Sequence, residues 1–170
     1  AEQQDKKVNI ILEECNIRVD LDKYTGFFST CIHLFRNSID HGLEDPQTRK
    51  QKNKSETGLI TISFSEKEDG RIEMLFKDDG TGIHPDVVRN AVVKMGRKNK
   101  DELDRMDDKE VIQLIFIQGH STKEETTGIS GRGIGLDAIY DETKKLGGEV
   151  EVLSKLDDGT TFIFTLPSII

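Results

Sequence analysis

The sequence predicts an α+β fold: a two-layer sandwich with a mixed, mostly antiparallel sheet and helices on one face. Three observations carry that prediction. Residues 59–64 and 72–76 alternate apolar and polar side chains on either side of Glu68-Asp69-Gly70. Residues 149–154 and 160–166 do the same around Asp157-Asp158-Gly159. Alternation with period two marks a half-buried strand, and a glycine turn between two such runs marks a hairpin. Apolar residues at helical spacing fill the stretches around these hairpins, so the strands are grouped and do not strictly alternate with helices.

Taken in order, residues 8–12 (VNIIL) are a β-branched strand run. Residues 16–20 read as a short partner strand, with Asp20 or Asp22 capping the helix that follows. That helix runs from about 23 to 43 and is stopped by Gly42 and Pro46. Residues 45–58 (DPQTRKQKNKSETG) are polar, basic and aperiodic, and are expected to be a solvated loop. Beyond the first hairpin, 78–82 is a glycine-bearing loop and 85–95 a helix with proline in its first turn. Residues 99–105 read as charged linker, and Asp107 or Asp108 caps a helix through Phe116. Residues 119–135 form a long polar, glycine-rich loop, and 134–146 a helix closed by Gly147-Gly148. No repeat and no internal boundary interrupts this plan. A single domain over residues 1–170 is expected, and its opening directly on a strand reads as a piece of a larger protein.

Composition narrows the function. Hydrophobic residues make up 34% and charged residues 33%, which predicts large solvated faces around a real core. The net charge of −8 makes a nucleic-acid backbone a poor candidate for a partner. An anionic ligand must therefore be held by local donors. Cys15 and Cys31 show neither CxxC nor zinc spacing and are expected to be buried free thiols in a reducing compartment. No run approaches the roughly 18 apolar residues of a membrane span. No signal peptide is visible at Ala1, and a cytoplasmic domain without membrane contact is expected.

Chemistry gathers on the helix through residues 27–44 (FFSTCIHLFRNSIDHGLE). At 3.6 residues per turn, Phe28, Ile32, Phe35 and Ile39 fall within about 60° and predict a core-facing stripe. His33, Asn37, Asp40 and His41 fall within about 100° on the opposite side. An amide oxygen can enter a Mg²⁺ shell and an imidazole can donate to phosphate, although a solvated polar face has the same pattern. Three glycine loops punctuate the rest. Asp78-Asp79-Gly80-Thr81-Gly82 follows a strand; its glycines let the backbone approach a flat ligand, and a carboxylate there can accept from a purine amino group. Alone it is also an ordinary turn. Gly131-Arg132-Gly133-Ile134-Gly135 opens a helix, where backbone N–H groups bind phosphate. It has neither the βαβ setting of a dinucleotide fingerprint nor the GK[ST] of a Walker loop. Gly159-Thr160 sits in the last hairpin.

Taken together and in order, HLFRNSIDHGLE, DDGTGI, STKE, SGRGIGLDAI and GTTFIFTLP resemble the boxes of the GHKL ATP-binding (Bergerat) fold. That superfamily comprises histidine kinases, gyrase-type topoisomerases, Hsp90 chaperones and MutL proteins. More narrowly, they resemble the ATP-binding catalytic domain of the CheA family of chemotaxis histidine kinases, over about residues 8–167. The resemblance implies ATP and Mg²⁺ as cofactors. Asn37 corresponds to the asparagine that ligates a Mg²⁺ bridging the phosphates. His33 and His41 match its flanking histidines, and Asp40 lies within the same box. Asp78 corresponds to the aspartate that accepts from the adenine amino group, with Gly80, Gly82 and Ile83 along the base. Ser121, Thr122 and Lys123 fall in a lid over the nucleotide, about 119–132. Gly131, Arg132, Gly133, Ile134, Gly135 and Leu136 match the phosphate loop, and Thr160 a threonine beside the adenine pocket.

The resemblance implies transfer of the ATP γ-phosphoryl group to a histidine on a separate acceptor domain. Dimerisation and receptor-coupling domains would lie outside this chain, and the isolated domain is expected to be monomeric. Two other readings stay open: a nucleotide-binding regulatory module without transfer activity, and an ATPase whose hydrolysis drives a conformational cycle. His33 stands where the hydrolysing relatives carry a water-activating glutamate, which argues against the ATPase. His120 stands where phenylalanine usually precedes STKE in the lid. His84 reads as a surface residue.

Overall fold

The computed structural model describes residues 6–13, 15–116 and 136–168. Alternating β-branched and aromatic residues build five strands: β1 (Lys7–Leu12), β2 (Thr57–Glu66), β3 (Ile72–Asp78), β4 (Glu149–Lys155) and β5 (Gly159–Leu166). They form one sheet in the order β1-β2-β3-β5-β4. β1 runs parallel to β2, and the other neighbours are antiparallel. Both expected hairpins are present. Their register sets Phe76 between Ile62 and Phe162, and Asp78 between Ile60 and Thr160. Alternation sorts the sheet into two faces, and Ile60, Ile62, Met74, Phe76, Val152, Phe162 and Phe164 are buried on one of them. Helical residues Tyr24, Phe27, Leu34, Val88, Val92, Val111, Ile112 and Ile139 join them in a single core. Phe27 meets Phe164 edge-on at 5.3 Å, and Phe35 meets Phe76 at 5.0 Å.

The helices are α1 (Leu21–Thr30), α2 (Ile32–Asn37), α3 (Pro46–Gln51), α4 (Pro85–Lys94), α5 (Lys100–Asp104), α6 (Asp108–Gln113) and α7 (Leu136–Lys145). The long helix expected over 23–43 is present as α1, α2 and a closing π turn, Ser38–Gly42, in which the Leu43 N–H donates to the Ser38 carbonyl at 2.6 Å. Its core-facing set is Tyr24, Phe27, Cys31, Leu34 and Ser38, not the expected stripe. Phe28, Phe35 and Ile39 pack at its flank, and Ile32 is 56% exposed. The two stripes have equally regular spacing, and Ser38 enters the buried one because Asp78 gives its hydroxyl a partner.

Four other expectations are corrected. Residues 16–20 form no strand, because β1 pairs with β2. Residues 45–58 are not simply a solvated loop: Asp45 accepts from the Gln47 and Thr48 N–H groups, Pro46 sits in the first turn, and the resulting α3 buries Arg49 completely. Residues 99–105 are not linker, since Asn99 and Glu102 close a reciprocal capping box that starts α5. Asp107 caps α6 in the same way, as expected. Cys31 is buried but Cys15 is exposed. His84 is exposed and caps α4 through Nδ1.

Candidate nucleotide site

The site forms where the π turn meets the end of β3. Asp78 is the last residue of β3 and only 3% exposed. One carboxylate oxygen accepts from the Ser38 hydroxyl at 2.8 Å and the other from the Gly80 N–H at 3.0 Å. A carboxylate has about four acceptor positions, so these two donors leave room for a ligand. Burial raises the Asp78 pKa and the neighbouring Asp79 charge adds to the rise, while the Ser38 hydroxyl and the Gly80 and Thr160 backbone oppose it; the net shift is upward.

The loop after Asp78 is locked from behind. Thr81 N–H donates to the Gly42 carbonyl, and Thr81 accepts from Asp157 N–H, both at 2.8 Å. Ile83 N–H donates to the Ser154 hydroxyl at 2.7 Å. A Cβ on Gly80 would overlap the Gly42 carbonyl oxygen. Gly82 has φ +74°, and a Cβ there would overlap the Lys155 carbonyl oxygen. Both glycines are thus required by backbone packing within the protein, a reason the sequence pattern does not distinguish from close approach to a ligand.

A cavity of about 180 Å³ opens beside Asp78. Asn37, Ser38, His41, Gly42 and Thr160 supply its polar wall, and Gly82, Ile83, Val87, Val88, Ile115, Leu136 and Phe162 line the remainder. Apolar walls with one spare acceptor suit a planar ring carrying an amino group. Of the expected residues, the structure brings Asn37, His41, Asp78, Gly82, Ile83, Leu136 and Thr160 to this cavity. Gly80, Asp40 and His33 are not in its lining. The Asp40 and Ile39 carbonyls accept from the Lys6 ammonium at 3.2 and 2.7 Å. The His33 Nδ1 is buried without a hydrogen-bond partner. Ser121, Thr122, Lys123, Gly131, Arg132, Gly133, Ile134 and Gly135 lie outside the described residues, as do His120 and the expected lid. Ser38, Gly42, Val87, Val88, Ile115 and Phe162 were not anticipated; Ser38 continues the spacing of Tyr24, Phe27, Cys31 and Leu34, a stripe the sequence reading did not take as core-facing.

Among the described residues, no group of three or more His, Cys, Asp or Glu side chains could hold a metal by itself. Mg²⁺ ordinarily binds through few protein oxygens together with substrate phosphates and water. The donor set fits that mode, with Asn37 offering one amide oxygen at the cavity wall.

Residues 24–170 match the family of histidine kinase-, DNA gyrase B- and HSP90-like ATPases. The chain belongs to this family. It is 37% identical over 98% of its length to a chemotaxis protein CheA from Halobacterium salinarum. It is 35% identical over 96% of its length to a gliding motility regulatory protein from Myxococcus xanthus. It spans only 25% and 21% of those two proteins. The fold is similar to the catalytic domain of histidine kinase ThkA, with a TM-score of 0.55 at 18% identity over 96% of this chain and 79% of that one. It is likewise similar to the kinase domain of a blue-light-activated histidine kinase from Erythrobacter litoralis, with a TM-score of 0.55 at 13% identity over 95% of this chain and 55% of that one. These likenesses bear out the α+β expectation. No helix among the described residues is long and apolar enough to cross a membrane.

Proposed function

We propose that this chain is the ATP-binding catalytic domain of a CheA-like histidine kinase, passing the γ-phosphoryl group to a histidine on a separate acceptor domain. The reading rests on one arrangement: a buried carboxylate with a spare acceptor position at one end of an apolar cavity, and Asn37 with His41 along the same cavity. Asp78 accepts from the adenine amino group and selects the base. Ile83, Val87, Val88, Leu136 and Phe162 cover the ring and exclude water. Asn37 supplies an amide oxygen to the metal, and His41 donates to phosphate oxygen. Mg²⁺, when bound, neutralises phosphate charge during transfer. Gly131, Gly133 and Gly135 would cradle the phosphates, and residues 119–132 would close over them.

Position 33 is histidine, so this helix offers no carboxylate there to orient and deprotonate water. That favours transfer over hydrolysis. The acceptor, dimerisation and receptor-coupling domains belong to the rest of a cytoplasmic kinase, and the isolated domain is monomeric. The test is to incubate the chain with Mg·ATP, alone and with a histidine-containing acceptor domain supplied separately. Acid-labile phosphate should appear on the acceptor and not on this chain. Steady phosphate release without acceptor would favour the ATPase reading, and binding without transfer the regulatory one.

A further inference from the structure

The Arg49 side chain, 1% exposed, is buried directly behind the loop that follows Asp78. Its Nη2 donates to Asp79 Oδ2 at 2.6 Å, and its Nη1 to Glu44 Oε2 at 3.2 Å and to the Asp79 carbonyl at 3.3 Å. Nε donates to the Ser55 carbonyl at 2.5 Å. Lys54 completes the clamp, its ammonium donating to Glu44 at 3.0 Å and to the Asp79 and Gly80 carbonyls at 2.9 and 2.7 Å. The other Asp79 carboxylate oxygen accepts from the Leu59 N–H at 2.8 Å. Two successive carbonyls and one side chain of the loop are therefore fixed by cations from α3 and the segment after it.

Burying a guanidinium is costly, and a buried ion pair is weak evidence for a stabilising role. What the arrangement supplies is direction. The planar fork reaches Asp79, Glu44 and Ser55 at once, which a single ammonium cannot reproduce. Asp78 immediately precedes the clamped peptide, and one of its oxygens is held by the N–H of Gly80, whose carbonyl Lys54 grips. A shift of this peptide turns the Asp78 carboxylate away from the ring it reads, and recognition of this kind is sensitive to misplacements of about 1 Å.

We propose that Arg49, with Glu44 and Lys54, is a positioning residue for base selection: it touches no ligand and aims Asp78 by holding the Asp79–Gly80 peptide. This rests on the reading of Asp78 as the acceptor for the adenine amino group.

The experiment measures ATP and GTP dissociation constants by calorimetry, well below the melting temperature, for the chain and its variants. The unaltered chain should prefer ATP. In Arg49→Met that preference should fall by about tenfold or more, as expected on losing a well-aimed bond to a charged group. Adding Asp79→Asn to Arg49→Met removes the stranded charge and should restore melting temperature but not selectivity, which separates aim from stability. Arg49→Lys should not rescue selectivity. An Arg49→Met chain that folds and keeps the full ATP preference overturns the proposal. Should Arg49→Met not fold, Lys54→Met carries the test: a reduced preference supports the clamp and an unchanged one overturns it. Equal affinity of the unaltered chain for ATP and GTP overturns the base-reading role itself, and the clamp's role with it.

Discussion

Asp78→Asn separates what the site costs the fold from what it gives the ligand. The carboxylate is buried and held by the Ser38 hydroxyl and the Gly80 N–H, and its pKa is nevertheless raised, burial being the largest influence. The folded state thus binds the proton more tightly than the unfolded one. Asp78 favours the fold most below the ordinary carboxylate range, and that contribution is lost as pH rises through the raised value. At neutral pH the ionised group is therefore a net burden. Asparagine has the same shape, can accept from the Gly80 N–H, and lets the Ser38 hydroxyl turn to accept from its amide. Removing the burden should stabilise the ligand-free chain by on the order of 1 kcal/mol, or about 2–4 °C in melting temperature for a chain of this size. The same change replaces a charge-assisted bond to the adenine amino group by a neutral one. A loss of about 1–2 kcal/mol, or roughly 5–30-fold in ATP affinity, is expected. Differential scanning calorimetry of the ligand-free proteins from pH 4 to 8, with ATP titrations at pH 7.5, reads both effects. The stability gap should close as pH falls and Asp78 takes up its proton. A melting temperature lowered by several degrees at neutral pH would refute the argument, because the hydrogen bonds would then outweigh the burial.

Asn37→Ala should abolish the gain in ATP affinity that Mg²⁺ brings while leaving metal-free binding nearly unchanged, as read by calorimetry with and without EDTA. Gly82→Ala should destabilise by about 2 kcal/mol or more in urea melts, since the residue has φ +74° and its Cβ would overlap the Lys155 carbonyl oxygen. Burial pushes the Glu44 pKa up, but its own backbone N–H, Lys54 and Lys52 overcome this and hold it below the ordinary range. It therefore contributes stability above the ordinary glutamate pKa that is lost as pH falls through the lowered value, and Glu44→Gln should flatten the acid limb of the stability profile in denaturant melts.

Features set by local chemistry were legible in the sequence. Alternation around Asp69-Gly70 and Asp158-Gly159 specified both hairpins, and Pro85 and Asp107 marked helix starts that the structure contains. Asn37 and His41 share one helix face in the sequence, but that Asp78 and Thr160 join them at one cavity was implied only by the resemblance to the GHKL boxes. What escaped depends on partners distant in the chain. Arg49 looks solvated in a basic, aperiodic run, and its burial follows from Asp79, thirty residues on, and from Glu44. The Asp45-Pro46 pair was a readable start signal for α3, masked by the surrounding polarity. The core-facing stripe of α1 and α2 was misjudged because a serine was not counted as core, and only the register of β3 reveals the carboxylate that admits it.

The π turn at Ser38–Gly42 marks the place where the length of this helix can change. An α-helix closes each ring of hydrogen bonds with one residue fewer, and the five residues of a π turn sweep roughly the arc that four sweep in an α-helix. Deleting one exposed residue here, such as Asp40, should therefore let an α turn form while the chain beyond keeps its facing, with Leu43 still in the core and the Gly42 carbonyl still near Thr81. A deletion within α2 has no such slack and would turn everything beyond it by roughly 100°. When this segment is aligned with relatives or grafted between them, a one-residue gap belongs between Asn37 and Leu43 and not earlier along the helix.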